Sequence, residues 1–421
     1  MTGSGTGSLQ VWINQSRVGE LRMERGELVF AYASDWLAAA DARPLSVALP
    51  LQEQTFDHLT TRAWFAGLLP EGNLRKALSR QLQVSEGNDF ALLDALAGEC
   101  AGAVSLLAEG HKPADDSTQD VLWLDDQALA QEVEQLPTRP LGNSHDGVRI
   151  SLAGVQDKLA VVVDGGRIGL PRNGTPSTHI LKPAIAGYAD TVLNEAFCLQ
   201  LASKAGLQAA ASFIRVINGK PVLLVQRYDR LMAATSVVRA HQEDFCQALG
   251  IVPELKYQNE GGPALAQCFD LVRRATNPPA RHLEELLRYV IFNALIGNND
   301  AHGKNFSLLS DRKGGRRLAP LYDAMCLSIY AGLSQKMAMK IGSKYAFDQI
   351  HRRHWEALAA EAGFSPKLTL KLLSKMAGTL PGLAGELAQA PPFSGNPTIA
   401  SIVGEIQQRA AMTLRRLALA G

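Results

Sequence analysis

The stretch that decides the fold reads Asn299-Asp300-Ala301-His302-Gly303-Lys304-Asn305. It places a carboxylate and an amide five residues apart in a glycine-containing loop between a predicted helix and a predicted strand. In phosphoryl transfer to a hydroxyl, such an Asp orients or accepts the hydroxyl proton, and the Asn ligates Mg²⁺. The loop therefore indicates phosphoryl-transfer chemistry with Asp300 as its catalytic group.

A second carboxylate, Asp323, follows the hairpin that Asn305 begins, so the chain returns it to the same end of the sheet. Few protein oxygen ligands suit Mg²⁺, which keeps water and phosphate oxygens for its other positions. The alternative is that Asp300 caps a turn and Asp323 lies in a solvated loop. A D-x-x-x-x-N match taken alone occurs by chance in most long proteins.

Lys182 adds an independent signal, because it ends the apolar strand Ile180-Leu181-Lys182. A buried ammonium needs an anion, and an ATP phosphate is one candidate. Glu195, in the following helix, is a predicted partner of Lys182, with an exposed helix charge as the alternative. The stretch from Arg149 to Lys158 contains small residues that let backbone amides approach phosphates, although it also fits an ordinary entry to a strand.

Apolar periodicity and turn residues predict the other elements. The predicted strands are 9–14, 18–23, 28–32, 159–163, 167–171, 178–182, 213–218, 222–227, 306–310 and 317–321. The predicted helices are 61–69, 90–97, 192–205, 282–296, 366–376 and 399–417. The predicted division is an N-terminal subdomain (1–110), a linker and connecting segment (111–147), a nucleotide-binding N-lobe (148–235) and a mainly helical catalytic C-lobe (236–421).

Composition excludes several classes of protein. With 421 residues, 46% hydrophobic and 20% charged, the chain is long enough for two or three folded domains and is not disordered. A net charge of +1 provides no general attraction for nucleic acid or an anionic membrane. The five scattered cysteines predict buried, reduced thiols. The polar start, Met1–Ser8, and the lack of a membrane-spanning apolar run predict a cytoplasmic protein without a membrane partner.

With these residues in view, the sequence resembles the HipA kinases, toxins of bacterial type II toxin-antitoxin modules. The matches run in order along nearly the whole chain and include Leu68–Gly72, Ser151–Lys158, Thr178–Lys182, Asn194-Glu195, Arg227–Arg230, Gln242–Asp244, Asp300–Ser307, Leu321–Asp323 and Met337–Lys340. The resemblance implies an α+β, bilobal protein-kinase-like (phosphoinositide-kinase-like) fold with an extra N-terminal α+β subdomain. It also implies a serine/threonine protein kinase that uses ATP and Mg²⁺.

The resemblance implies roles for individual residues. Asp300 matches the catalytic aspartate, Asn305 and Asp323 match the Mg²⁺ ligands, and Ser151 matches the autophosphorylation site. Nucleotide contacts are implied for Ala153, Gly154, Val155, Gln156, Asp157 and Lys158 in the phosphate loop, for Lys182, for Gln226, Arg227 and Tyr228 in the adenine hinge, and for His302, Gly303, Lys304, Asn305 and Tyr322. For His302, a loop histidine bonded to backbone is the alternative.

The family also implies partners: a HipB-like helix-turn-helix antitoxin, and a protein substrate such as glutamyl-tRNA synthetase. Gln226 stands where a hinge glutamate is expected, but a hinge mainly uses backbone groups. Ile341–Phe347 lacks the dense lysine run that some members use at DNA, so operator DNA is expected mainly through the antitoxin.

A small-molecule or lipid kinase and a non-catalytic co-repressor are the competing functions. The N-terminal subdomain and the Ser151 loop argue against the first, and intact Lys182, Asp300, Asn305 and Asp323 argue against the second.

Overall fold

The computed structural model describes residues 7–96, 98–115, 119–137, 148–232, 236–311 and 314–418. Its strands are β1 (Ser8–Ile13), β2 (Ser16–Glu24), β3 (Glu27–Tyr32), β4 (Val104–Ala108), β5 (Val121–Leu124), β6 (Leu159–Asp164), β7 (Arg167–Pro171), β8 (His179–Pro183), β9 (Ser212–Ile217), β10 (Lys220–Gln226), β11 (Arg230–Met232), β12 (Val237–Arg239), β13 (His241–Asp244), β14 (Ser307–Ser310), β15 (Arg316–Leu318), β16 (Lys336–Ile341) and β17 (Lys344–Ala346). Its helices are α1 (Ser34–Leu37), α2 (His58–Phe65), α3 (Gly72–Leu82), α4 (Asp89–Leu96), α5 (Asp126–Gln135), α6 (Thr191–Lys204), α7 (Phe245–Leu249), α8 (Leu265–Ala275), α9 (Pro279–Ile296), α10 (Arg352–Ala362), α11 (Pro366–Leu387) and α12 (Pro397–Ala418).

These elements form two compact units. The first unit comprises the described parts of Met1–Pro183, Arg215–Glu254 and Leu308–Gly315. The second comprises the described parts of Ala184–Ile214, Leu255–Ser307 and Arg316–Gly421. Sheets dominate the first unit and helices dominate the second.

The first unit contains a four-stranded sheet of order β3-β2-β1-β4, in which each pair of neighbouring strands is antiparallel. Alternate residues of β3, namely Leu28, Phe30 and Tyr32, are buried, as a half-buried strand requires. Phe30 packs against Phe65 of α2 with ring centroids 5.4 Å apart. The predicted N-terminal strands are therefore confirmed to within a few residues.

A six-stranded sheet of order β5-β7-β6-β8-β10-β9 holds Lys182. Strand β8 lies between β6 and β10, and Lys182 pairs with Leu223 of β10. The turn from β9 to β10 consists of Asn218 and Gly219 alone, with φ of 46° and 75°. Both residues have the positive φ that a tight two-residue hairpin needs, which explains why the Asn-Gly pair predicted this turn.

One apolar core joins the two large sheets of the first unit. Buried side chains from the four-stranded sheet, such as Val11 and Leu21, belong to the same cluster as Leu159, Leu181 and Leu224 of the six-stranded sheet. Because the core is continuous, the N-terminal sheet and the sheet that carries Lys182 form one packed body.

In the second unit, α9 lies at the centre of the helices and contacts α8, α11 and α12. Its side chains are buried around most of its circumference, as expected for a central helix. It begins at Pro279, three residues before the predicted start, because proline is well tolerated in the first turn of a helix. Edge-to-face contacts join Phe269 of α8 to Phe364, just after α10, and Phe197 of α6 to Phe393, between α11 and α12.

Several features differ from the sequence expectations. Residues 111–147, predicted as a linker and connecting segment, contain β5 and α5, while 116–118 and 138–147 lie outside the described residues. Ala97 and Met1–Thr6 also lie outside them. Helix α11 continues eleven residues beyond the predicted end at Met376.

All five cysteines are free and buried, as predicted. Among the described residues, no helix has both the length and the apolar character needed to span a bilayer.

Candidate active site

The loop that carries Asp300 starts where α9 ends at Gly297. Gly297 has φ of 77°, and a Cβ there would lie 2.1 Å from Ser328 Oγ, so only glycine fits without a shift. The Gly297 carbonyl also accepts the backbone N–H groups of Leu327 and Ser328. The end of α9 is thus fixed to the chain just after Asp323.

Asn298 links the backbones around the two acidic residues. Its side-chain amide is buried and donates to Asn293 Oδ1 at 2.9 Å and to the Asp323 carbonyl at 3.3 Å. Its Oδ1 accepts the Asp300 N–H at 3.3 Å. Asp323 itself has φ of 50°, an uncommon conformation for a residue other than glycine. One buried amide therefore fixes the backbone of Asp300 relative to the backbone of Asp323.

Asp300 is oriented by a residue far away in sequence. The Tyr257 hydroxyl donates to Asp300 Oδ1 at 2.6 Å, and the Tyr257 ring packs edge-to-face on His302 at 5.2 Å. Asp300 also lies on the wall of a cavity of about 540 Å³. A carboxylate that is held by a hydroxyl and borders a cavity is placed to receive the proton of an entering alcohol.

Asn305 and Asp323 fit the expected magnesium ligands. The Asn305 amide nitrogen donates to the Asp300 carbonyl at 3.0 Å, so its Oδ1 is the atom that can ligate a cation. Asp323 is half-buried and supplies a carboxylate. One amide oxygen and one carboxylate form a hard, oxygen-only donor pair suited to Mg²⁺.

His302 is 6% exposed, and its pKa is lowered to about 3, first by burial and then by the charges of Lys256 and Lys304. The imidazole is therefore neutral at neutral pH. Over the described residues, its Nδ1 has no hydrogen-bond partner. His302 can act as a neutral hydrogen-bonding group but not as a cation that attracts phosphate.

Tyr322 connects the loop to the strand that follows it. Its hydroxyl donates to the Lys304 carbonyl at 2.7 Å and lies 2.7 Å from Ser307 Oγ. The structure thus brings together Asp300, His302–Asn305, Tyr322 and Asp323 within the second unit.

In the first unit, Ser151 lies at the entrance of the predicted phosphate loop and is fully buried. Its hydroxyl donates to the Leu68 carbonyl at 2.8 Å, and its N–H donates to the Glu99 carbonyl at 2.9 Å. Further along the loop, the Gly154 carbonyl accepts the Glu71 N–H at 3.0 Å. The loop is therefore attached to the N-terminal sheet region at several points.

The phosphate loop also contacts the end of the strand that carries Lys182. Gln156 Nε2 donates to the Pro183 carbonyl at 3.3 Å, and Lys158 Nζ donates to the Ala153 carbonyl at 2.7 Å, closing the loop on itself. Val155, at the tip, is 57% exposed. Burial raises the pKa of Asp157, although the nearby Lys158 ammonium opposes that rise.

Of the three predicted hinge residues, Gln226 is exposed, Tyr228 is half-buried and Arg227 is buried. The Arg227 guanidinium contacts Asp229 and Glu99. Its side chain is therefore held inside the first unit by these two acids, and nucleotide contacts of Gln226, Arg227 and Tyr228 stay a prediction. Glu195, at 2% exposure, is buried in α6, so the alternative of an exposed helix charge is wrong. Its pairing with Lys182 stays a prediction.

Comparisons with known proteins agree with this arrangement. Residues 150–383 match the family model described as the HipA-like C-terminal domain, and residues 9–107 match the HipA N-terminal domain. The chain belongs to the HipA kinase family. A relative from Sinorhizobium fredii, Y4mE, is 43% identical over 373 residues, which cover 87% of this chain and 89% of the relative.

The serine/threonine-protein kinase toxin HipA of Shewanella oneidensis is 28% identical over 409 residues, covering 93% of this chain and 92% of the toxin. A solved complex of the Shewanella HipA, HipB and operator DNA contains a chain that superposes with a TM-score of 0.86 at 26% identity, covering 98% of each chain. The predicted α+β kinase-like fold of the HipA family is thereby confirmed.

Tyr257 and Asn298 were missed by sequence reasoning about this HipA-family chain. Tyr257 lies 43 residues before Asp300 and belongs to no local motif. Asn298 directly precedes the quoted loop, and its position after the helix-ending Gly297 is the signal that could have identified it.

Proposed function

We propose that this HipA-family protein kinase transfers the γ-phosphoryl group of ATP to serine or threonine hydroxyls of proteins. The observation that carries the proposal is Asp300, held by Tyr257 on the wall of a cavity that an acceptor segment can enter. Asp300 orients the acceptor hydroxyl and takes its proton as the oxygen bonds to phosphorus and ADP leaves.

Each unit supplies groups that suit a nucleotide. In the first unit, Lys182 and the loop Ala153–Lys158 offer an ammonium and backbone N–H groups to phosphate oxygens. In the second unit, Asn305 and Asp323 offer oxygen ligands to Mg²⁺. A bound Mg²⁺ supplies positive charge that offsets the negative charge of the phosphoryl group.

The proposal includes autophosphorylation at Ser151 as a means of self-inactivation. Ser151 is fully buried and its hydroxyl donates to the Leu68 carbonyl. A phosphoserine carries nearly two negative charges and three acceptor oxygens, so it cannot replace this donor beside a carbonyl. The loop must therefore leave its position before Ser151 is phosphorylated, and the phosphate then prevents its return.

The proposal extends to a toxin role in a toxin-antitoxin module. We assign it a HipB-like helix-turn-helix antitoxin as inhibitor, with operator DNA reached mainly through that antitoxin. The similarity to the HipA chain of the solved complex with HipB and operator DNA supports this assignment. The target is a translation-related protein, with glutamyl-tRNA synthetase as the first candidate to assay.

The experiment is incubation of the purified chain with labelled ATP and Mg²⁺. The wild type should label itself, and Asp300→Asn should lower the rate by about 10²- to 10⁴-fold while still binding ATP. The matched control is Asp348→Asn, since Asp348 is an exposed acid of the same unit outside the site. Near-normal transfer by Asp300→Asn would show that the catalytic assignment is wrong.

A second measurement tests the switch. Mass spectrometry after ATP exposure should find phosphate on Ser151, and nucleotide affinity should fall as the occupancy of that phosphate rises. Full Ser151 phosphorylation with undiminished nucleotide affinity would contradict the switch and leave the kinase assignment intact.

A further inference from the structure

The cavity beside Asp300 has a second property that phosphoryl transfer itself does not need. Aromatic rings line it, contributed by Tyr188, Tyr257, Tyr330 and Tyr345. Its volume of about 540 Å³ lies in the range of pockets that enclose a drug-sized ligand. An acceptor hydroxyl alone would leave most of this space empty.

The rings are held in place before any ligand arrives. Tyr188 and Tyr330 pack edge-to-face with centroids 5.3 Å apart. The Tyr330 hydroxyl donates to the Ala189 carbonyl at 2.8 Å and accepts from Asn194 Nδ2 at 3.1 Å. Burial raises the pKa of Tyr330, so its phenol stays neutral. This wall is a preformed aromatic surface in which the Tyr330 hydroxyl is already bonded.

Asn299 ties another wall of the cavity to the catalytic loop. Its Nδ2 donates to the Ser334 carbonyl at 3.0 Å, and its own carbonyl accepts the Ala338 N–H at 2.8 Å. Its Oδ1 is buried and, within the described part of the chain, accepts no hydrogen bond. Asn299 therefore fixes the wall formed by residues 334–338 to the residue that precedes Asp300.

Few charged side chains line the cavity. Beside Asp300, the ionisable side chains among its described lining residues, apart from the tyrosines, are Glu260 and Lys336, one of each sign and both exposed. Met325, Leu333 and Met337 add to the apolar surface. Selection at this cavity therefore depends on apolar contact.

We propose that this cavity is the subsite for the acceptor segment and that it binds an apolar or aromatic side chain adjacent to the target serine or threonine. The inference rests on the proposed kinase function and specifies its substrate class. The bound side chain fills the space between the tyrosine rings and thereby positions the neighbouring hydroxyl at Asp300.

The test uses a positional-scanning library of peptides with one central serine, incubated with the full chain, ATP and Mg²⁺. The wild type should prefer Leu, Met, Phe or Tyr over Gly, Lys or Asp at one position next to the serine. In Tyr345→Ser, that preference should fall by about tenfold or more, whereas Tyr345→Phe should keep it. Met232→Ser, which removes an exposed apolar side chain of the first unit, is the control that should change nothing.

The KM for ATP should be the same in all four proteins, and thermal melts establish that each is folded. Absence of labelling in every protein would refute the kinase function itself. A wild type that labels itself but phosphorylates no peptide, or shows no apolar preference, would overturn the subsite alone. An unchanged apolar preference in folded Tyr345→Ser would also overturn the proposed subsite. If that variant does not fold, the presence or absence of an apolar preference in the wild type decides the question.

Discussion

Replacing Asp229 by Ala tests the buried group of charges beside residues 226–228. Asp229 is 3% exposed and accepts three hydrogen bonds from Arg227 and Arg230 and a fourth from the Gly102 N–H, at 2.7–3.0 Å. Glu99, the other acid of the group, binds the same two guanidinium groups. In the wild type, two buried positive charges thus face two buried negative charges.

The magnitude follows from what the substitution leaves behind. Without Asp229, two buried guanidinium groups share one carboxylate, and the Gly102 N–H loses its acceptor. Removing one partner of a buried ion pair costs about 3–5 kcal/mol, because the other charge stays buried without compensation. At roughly 2–4 °C per kcal/mol for a unit of this size, Asp229→Ala should lower the melting temperature by roughly 6–20 °C.

The assay is thermal unfolding followed by circular dichroism at pH 7, with Asp164→Ala as the control. Asp164 pairs with Arg167 in the same unit, but both side chains are more than 60% exposed, so that loss should cost no more than about 1 kcal/mol. Equal melting temperatures for Asp229→Ala and Asp164→Ala would refute the reasoning.

The pH dependence adds an independent check. Burial alone would raise the pKa of Asp229, but Arg227 and Arg230 outweigh it and hold the pKa well below its usual value. The stability that its charge contributes is therefore fully present above about pH 4, the unfolded value, and is lost as pH falls toward the folded pKa. The advantage of the wild type over Asp229→Asn should be constant from pH 8 to 5 and should shrink below pH 4.

Four other substitutions test the second unit. Asn298→Ala should slow self-labelling by about tenfold or more without changing the overall fold, because Asp300 and Asp323 lose the side chain that bonds to both backbones. Labelling rates and circular dichroism measure these two properties, and an unchanged labelling rate would contradict the prediction. Asn305→Ala and Asp323→Ala should each raise the Mg²⁺ concentration needed for ATP binding, and a titration that matches the wild type would remove them from the metal site. The pKa of His302 is lower in the folded protein than in the unfolded chain, so protonation favours the unfolded state. The wild type should therefore lose stability relative to His302→Gln as pH falls from about 6.5 to 5. A difference in melting temperature between the two proteins that stays constant over this pH range would contradict the prediction.

Local sequence signals predicted the elements that local chemistry determines. The Asn-Gly turn at 218–219 specifies its own backbone conformation, and the apolar period of α9 specifies a buried helix. The extent of α11 was missed because Pro381 ordinarily ends a helix. Its buried stripe continues on both sides of the proline, through Leu380 and Ala384 to Leu387, and packing of this stripe within the second unit holds the helix together.

The missed parts of the site depend on contacts between distant residues. No period or motif in the sequence brings Tyr257 to Asp300, and none joins Val121–Leu124 to the edge of a sheet at β7. Both contacts appear only when the chain has folded, because their cost in chain entropy is offset by packing elsewhere. By contrast, Asp300, Asn305 and Asp323 could be proposed from spacing, since a short loop and a hairpin keep them close.

Glu99 joins the buried charge group to the predicted phosphate loop. Its carboxylate binds the guanidinium groups of the buried charge group, whereas its backbone carbonyl accepts the N–H of Ser151 in the predicted phosphate loop. Different atoms of Glu99 make these two sets of contacts, so release of the loop does not require an ion pair of the charge group to break. In the proposed switch, release breaks the bonds from Ser151 to Glu99 and Leu68, from Glu71 to Gly154 and from Gln156 to Pro183, each worth about 0.5–1.5 kcal/mol. These four bonds together favour the seated loop by roughly 2–6 kcal/mol, so the proposed autophosphorylation requires a loop position that is rarely populated.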